Sequence, residues 1–190
     1  YGPFGDCALA KDVDSIREAL QESNNDVISL DLFSPAQLED FILKNQPIDL
    51  AFVIAEGFKS HPQTLYNGHG AALVRKVLSK YNIPYTHSNI EGMENCRNKD
   101  ITYARLLERG ISVPRYLTFE THFYRNIASL EEKVQEIGYP VIIKPAGGGN
   151  SIGISQKSVI HDFSHLKERV NELIQELGHA TLVIEKYLTG

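Results

Sequence analysis

The sequence predicts an open α/β layer with a largely parallel sheet, followed by an α+β unit built on adjacent antiparallel strands. Three observations carry this. In the first half, helical and strand-like segments alternate, the order expected when helices cover a mostly parallel sheet. In the second half, strand-like runs at residues 115–119, 139–144 and 181–188 are separated by helical periodicity and a glycine cluster. Gly110, Gly138 and Gly178 stand where helical patterns stop.

Val13, Ile16 and Leu20 lie at helical spacing, and VISLDL at 27–32 reads as the first strand. Ser34, Pro35 and Gln37 make a helix start, with the serine as cap, proline in the first turn and the glutamine placed to reach back. That helix turns Leu38, Phe41 and Ile42 inward. The next segment, IDLAFVIA at 48–55, is too apolar for a one-sided strand and is expected to be buried and central. A turn at 55–58 follows, then a helix after Gly70 with Leu73, Val74, Val77 and Leu78 on one side. Residues 83–88 read as a short strand and turn, and a helix is expected from about Asn98 to Gly110.

A boundary between residues 90 and 97 divides the chain into units of 1–95 and 96–190. The second unit holds the 115–119 strand. Ser129 with Glu132 three residues on predicts the next helix start, and Leu130, Val134 and Ile137 its buried face. After the strand at 139–144, IGIS at 152–155 is expected to return as a strand. A helix from about His161 to Leu177 is expected to bury Leu166, Val170, Leu173 and Leu177.

Composition narrows the function classes. With 190 residues, 42% hydrophobic and 23% charged, the chain can bury a real core. A net charge of -5 and a pI near 5.8 argue against nucleic-acid or anionic-membrane partners, which need a basic stripe. Cys7 and Cys96 are far apart and lack metal or disulfide spacing, which fits a reducing interior, so a cytoplasmic location is expected. No apolar stretch approaches the roughly 20 residues of a membrane span. The chain opens on Tyr1 and stops at Gly190 straight after an apolar run, which predicts a piece of a longer protein.

The stretch PVIIKPAGGGNSIGI, residues 140–154, carries the chemistry. A P-loop would place its lysine after the glycines, but Lys144 precedes them. A dinucleotide fingerprint would need glycine where Ile152 stands. The alternative is a hairpin that folds down on a polyphosphate. Glycines let backbone N–H groups approach oxygens, consecutive N–H groups form an anion nest, and the lysine adds charge. Asn150 and Ser151 supply side-chain donors at the tip and are the candidate catalytic groups. A flexible surface hairpin is the competing reading of the same glycines. His161 and His165 are four apart, but Asp162 stands where a zinc protease needs glutamate, so no metal ligand is assigned.

IAEG (54–57), IPYTHS (83–88), NKDITYARLLERGISVP (98–114), YPVIIKPAGGGNSIGI (139–154) and LVIEKYLTG (182–190) occur in an order and spacing that resembles the D-alanine:D-alanine ligase family of ATP-grasp enzymes. The resemblance implies a pre-ATP-grasp domain followed by the first subdomain of an ATP-grasp unit. It implies ATP and Mg²⁺ as cofactors, a small amino acid as substrate and a homodimer as a candidate assembly. Lys99 and Lys144 would contact phosphates, and Gly149, Ser151 and Gly153 would belong to the flap over them. Glu185 would accept from the adenine amino group, with the backbone near Lys186 and Leu188 completing recognition. Glu56 would lie near the amino-acid substrate.

Two positions depart from the family pattern: Asn150 replaces a serine of the flap, and His87 stands where glycine is usual. By the same resemblance, the magnesium carboxylates, the arginine that steadies the transition state and the second half of the unit lie beyond Gly190. This chain by itself is therefore not expected to catalyse. The expected activity of the complete protein is ATP-dependent joining of a carboxylate to an amine through an acyl phosphate, in the synthesis of peptidoglycan precursors. A non-catalytic ATP-binding regulator and an ATP-grasp ligase with another substrate are the alternatives.

Overall fold

A computed structural model describes residues 8–123, 127–149 and 151–189. In the first half, α1 (Ala10–Glu22), α2 (Pro35–Lys44), the short α3 (Gln63–Tyr66) and α4 (Gly70–Lys80) are followed by α5 (Ile90–Arg97) and α6 (Lys99–Leu107). The start of α2 follows the sequence. Ser34 Oγ accepts from Gln37 N at 3.1 Å, Gln37 Oε1 accepts from Phe33 N at 2.7 Å, and Pro35 opens the helix. Leu38 and Ile42 then point into a core with Val53, Phe58, Val74, Val77, Leu78 and Ile83. Each such side chain contributes about 1.5–3 kcal/mol by leaving water.

The two apolar segments expected as strands behave differently. Among the described residues, 27–32 and 48–55 join no ladder, and parallel pairing is limited to one bridge, Ala51 with Tyr85. The expectation of a buried central strand at 48–55 is corrected. Val53 is buried, but Leu50, Phe52 and Ile54 are 55%, 45% and 37% exposed. Successive side chains of an extended segment face opposite ways. One side meets the core of α2 and α4, and the other remains accessible.

The helix expected from about Asn98 to Gly110 is α6, and the separate helix α5 before it was not expected. Asn98 is extended at φ -111°, ψ 115°, so α5 ends there and α6 begins one residue later. Its amide donates to Glu94 O at 3.2 Å, satisfying the end of α5.

The second half is a four-stranded antiparallel sheet of β1 (Tyr116–Glu120), β2 (Val141–Pro145), β3 (Val159–Ile160) and β4 (Thr181–Lys186), in spatial order β1-β4-β2-β3. Helices α7 (Ile127–Ile137) and α8 (Phe163–Leu177) lie in the intervals. Val141, Ile143, Leu182 and Ile184 pack with Leu130, Val134 and Ile137 of α7 and Leu166, Val170, Leu173 and Leu177 of α8. The helix before β2 starts at Ile127, two residues ahead of the expected Ser129.

In α8, Asp162 is the cap, its carboxylate accepting from His165 N at 2.9 Å. His161 therefore precedes the helix, and the two histidines do not share a helical face.

IGIS is not a strand. Residues 151–153 form a turn, with φ of 60° at Ser151 and 66° at Gly153, and pairing with β2 resumes only at Val159. Left-handed backbone interrupts a pleat, and this decides against the apolar alternation.

Candidate functional site

The register of β2, β4 and β1 sorts residues onto two faces. Ile142 stands opposite Glu185, Lys144 opposite Val183, and Tyr116 opposite Glu185 from the other side. Side chains alternate, so Lys144, Glu185 and Tyr116 share the face turned away from α7 and α8. Helix α6 supplies the neighbouring groups. Lys99 and Tyr103 are four residues apart and therefore on one side of it.

Lys144 Nζ donates to Glu185 Oε1 at 2.7 Å, and Tyr103 Oη donates to Glu185 Oε2 at 2.8 Å. Glu185 is only 7% exposed. Burial first, and then the Glu185 carboxylate, push the Tyr103 phenol well above its ordinary value, so it remains a donor.

Lys99 lies below the glycine turn. Its backbone N–H donates to Ala146 O at 2.9 Å, and its Nζ reaches Pro145 O at 3.0 Å and Ala146 O at 3.3 Å. Gly147 O and Gly148 O lie at 3.4 and 3.5 Å. The ammonium thus holds together the carbonyls that lead into the turn. Burial, then the Lys144 and Arg97 charges, lower its pKa to about 8.

The sign of the linkage follows. Below pH 8 Lys99 is charged in both folded and unfolded chains, and the folded chain carries the desolvation cost. Between about 8 and 10.5 the folded chain releases its proton first, so this residue makes stability rise with pH. Acylation with acetic anhydride, read by mass spectrometry across pH, is expected to give Lys99 a midpoint near 8. A midpoint near the ordinary lysine value of about 10.4 would refute the assignment.

The turn is fixed at both ends. A Cβ on Gly147 would stand 2.3 Å from Asn67 C and Gly68 N and 2.6 Å from Tyr66 O, so the main chain of the first half touches it directly. Tyr66 reinforces the seam by donating to Leu177 O at 2.6 Å. At the other end, Gly153 sits against Pro145, Leu173 and Leu177, and its carbonyl accepts from Arg169 Nη2 at 3.1 Å. Arg169 is 4% exposed and also pairs with Glu172 and Glu176 at 2.7 and 3.1 Å. A cleft of about 660 Å³ opens beside this end of the turn, lined by Ser151, Lys157 and Arg169, away from Lys144 and Glu185.

The remaining expected residues distribute as follows. Gly149 and Ser151 are in the turn, where Gly149 O accepts from Ile152 N at 3.0 Å and Ser151 O from Ile154 N at 2.9 Å. Asn150 lies outside the described residues. Lys186 turns to the opposite face from Glu185, and its Nζ donates to Gly138 O and Tyr139 O at 3.0 and 2.9 Å. Leu188 is 67% exposed beyond the strand. Glu56 is paired with Arg97 at 2.8 Å. His87 holds φ 71°, the left-handed conformation that favours the glycine its position was expected to carry.

Sequence reasoning missed Tyr103, Arg97 and Arg169. For Tyr103 a signal existed, since it follows Lys99 by one helical turn. Arg97 meets Glu56 only through a tertiary contact, and Arg169, although Glu172 lies one turn on in its own helix, reaches Gly153 O only through the fold.

A buried lysine–carboxylate pair on an antiparallel sheet thus stands next to a glycine turn held by a second lysine. Residues 106–190 match the family model described as "D-ala D-ala ligase C-terminus". A D-alanine--D-alanine ligase of Proteus mirabilis is 34% identical over 109 residues, covering 57% of this chain and 27% of that protein. One from Acinetobacter baumannii is 27% identical over 98% of this chain and 57% of its own length. The chain thus spans 27% to 57% of these relatives.

Among solved structures, the D-alanine--D-alanine ligase of Bacillus anthracis complexed with ATP aligns with a TM-score of 0.65 at 23% identity. That alignment covers 96% of this chain and 56% of the other. The VanG D-Ala:D-Ser ligase of Enterococcus faecalis aligns with a TM-score of 0.58 at 22% identity, over 75% of this chain and 37% of its own. At these identities the structural likeness speaks for the fold.

Proposed function

We propose that the protein carrying this chain is an ATP-dependent ligase that joins a carboxylate to an amine, with D-alanine as both substrates and peptidoglycan precursors as the destination. The observation that carries this reading is the Lys144–Glu185 pair at 2.7 Å, on facing strands beside a glycine turn. Lys144, Ser151 and the amides of the turn would receive phosphate oxygens, and Asn150 is proposed beside Ser151 as a catalytic side chain. Glu185 and the backbone at Lys186 and Leu188 would receive the base. Lys99 would stabilise the turn from below and add charge.

In the reaction, the γ-phosphoryl group passes to the first carboxylate, giving an acyl phosphate and ADP. The amine of the second amino acid then displaces phosphate. What this chain contributes to the first step is position and positive charge, which strengthen where water is excluded. Glu56, with Arg97 as its partner, stands at the turn proposed for the amino-acid side. No group of three His, Cys, Asp or Glu able to hold a metal stands among the described residues, so no residue here is assigned to Mg²⁺.

Residues 1–95 and 96–190 are proposed as the pre-ATP-grasp domain and the first ATP-grasp subdomain. A homodimer in the cytoplasm is the proposed setting, the latter supported by two cysteines without disulfide spacing. An acidic pI near 5.8 supports the absence of a nucleic-acid partner, and no helix among the described residues is long and apolar enough to cross a membrane.

The test is ADP release by the complete protein with ATP, magnesium and a panel of amino acids. Release with D-alanine is expected, and no release across the panel would overturn the ligase reading. Release with another amino acid alone would instead point to a different carboxylate–amine ligase. The second reading, an ATP-binding regulator, is favoured by the two departures from the family pattern, Asn150 and His87. That reading requires ATP binding without ADP release.

A further inference from the structure

Tyr103 is the member of this centre that the motifs leave unexplained. Its ring stands edge-on to Tyr116, with centroids 5.0 Å apart, and Tyr116 faces Glu185 across the sheet. Packing on Tyr116 therefore sets where the phenol can reach. Its hydroxyl has one proton to give, and Glu185 Oε2 takes it at 2.8 Å. Lys144 takes the other oxygen at 2.7 Å and also lies 3.5 Å from the Tyr103 oxygen. A carboxylate offers about four lone-pair sites, so two donors leave room for a third.

The consequence appears when phosphate arrives. Lys144 then has two competing anions, and a triphosphate carries the greater charge. As Lys144 turns toward it, Glu185 loses its ionic partner. Without another donor the carboxylate is free to rotate. We propose that Tyr103 is a positioning residue for base selection, holding Glu185 as a fixed acceptor for the exocyclic amine of an adenine-type base while Lys144 moves to phosphate. A purine with a carbonyl in place of that amine sets acceptor against acceptor. A fixed carboxylate rejects it, whereas a rotating one turns aside. Rejection of this kind rests on leaving buried polar groups unpaired. The inference depends on the nucleotide-site reading above and deepens it.

The experiment uses the complete protein, with ATP and inosine triphosphate as ligands in magnesium buffer, and dissociation constants from calorimetry. Tyr103→Phe keeps the ring against Tyr116 and removes only the donor. ATP binding is expected to weaken about tenfold and inosine triphosphate binding to stay within about twofold, so that preference between them falls about tenfold. A structural role alone would weaken both nucleotides together. An unchanged preference overturns the proposal.

Glu185→Ala separates the two levels of the argument. If it leaves the preference intact, the assignment of Glu185 to the base fails. If it removes the preference while Tyr103→Phe keeps it, only the role of Tyr103 fails. In the Glu185→Ala background, Tyr103→Phe is expected to change nothing further, and additive losses count against the proposal. Circular dichroism on each variant confirms that the comparison is between folded proteins.

Discussion

Replacing Lys144 with methionine is expected to weaken ATP binding by the complete protein roughly a hundredfold and to destabilise the fold by about 3 kcal/mol. Two losses combine in this variant. The phosphate side loses a point charge at the mouth of the glycine turn, and Glu185, 9% exposed in its side chain, loses its cation in a place where water replaces it poorly. Tyr103 still donates to the carboxylate and limits the damage.

The double change Lys144→Met with Glu185→Met separates the losses. Removing both charges is expected to restore most of the stability, because the desolvation cost of the pair disappears with it, while ATP binding stays lost. Urea denaturation and calorimetry measure the two effects. Recovery of ATP binding in the double variant would show that Lys144 matters to the fold alone.

Gly147→Ala is expected to cost about 3 kcal/mol or more, the upper end for a small-to-large change. The added carbon would lie 2.3 Å from two main-chain atoms of residues 67 and 68. A side chain in that position could swing aside, but a peptide backbone cannot without moving its neighbours. Those neighbours include Tyr66, whose hydroxyl is bound to Leu177 O and whose ring belongs to the core of the second half. A urea midpoint equivalent to a loss below about 1 kcal/mol would mean that the seam is softer than its geometry.

How much of this was legible depends on what each residue pattern can report. Strands β2 and β4 and helices α7 and α8 were readable because one face of each packs on the other, and periodicity records that packing directly. The segment at 48–55 misled for the same reason in reverse. Its composition says that apolar residues are present, but nothing in Leu50, Phe52 and Ile54 reports whether a second layer covers them. The start of α6 at Asn98 was legible, whereas α5 was not, because none of its residues is buried and it carries little apolar periodicity. Around the glycine cluster, Lys144, Glu185 and the turn could be named from sequence. That the lysine would rest on the carboxylate, and that Lys99 would face carbonyls, depends on strand register and on the placement of α6, which no local pattern carries.

The seam at Gly147 has one more implication. Peptide groups meet peptide groups there, leaving no rotamer or branch for mutation to adjust. Descendants of this sequence can rework nearly every surrounding surface, yet the separation between residues 66–68 and the glycine turn stays tied to the dimensions of the polypeptide itself. Divergence in what such proteins accept must then arise from which groups line the gap, because its width is not open to selection.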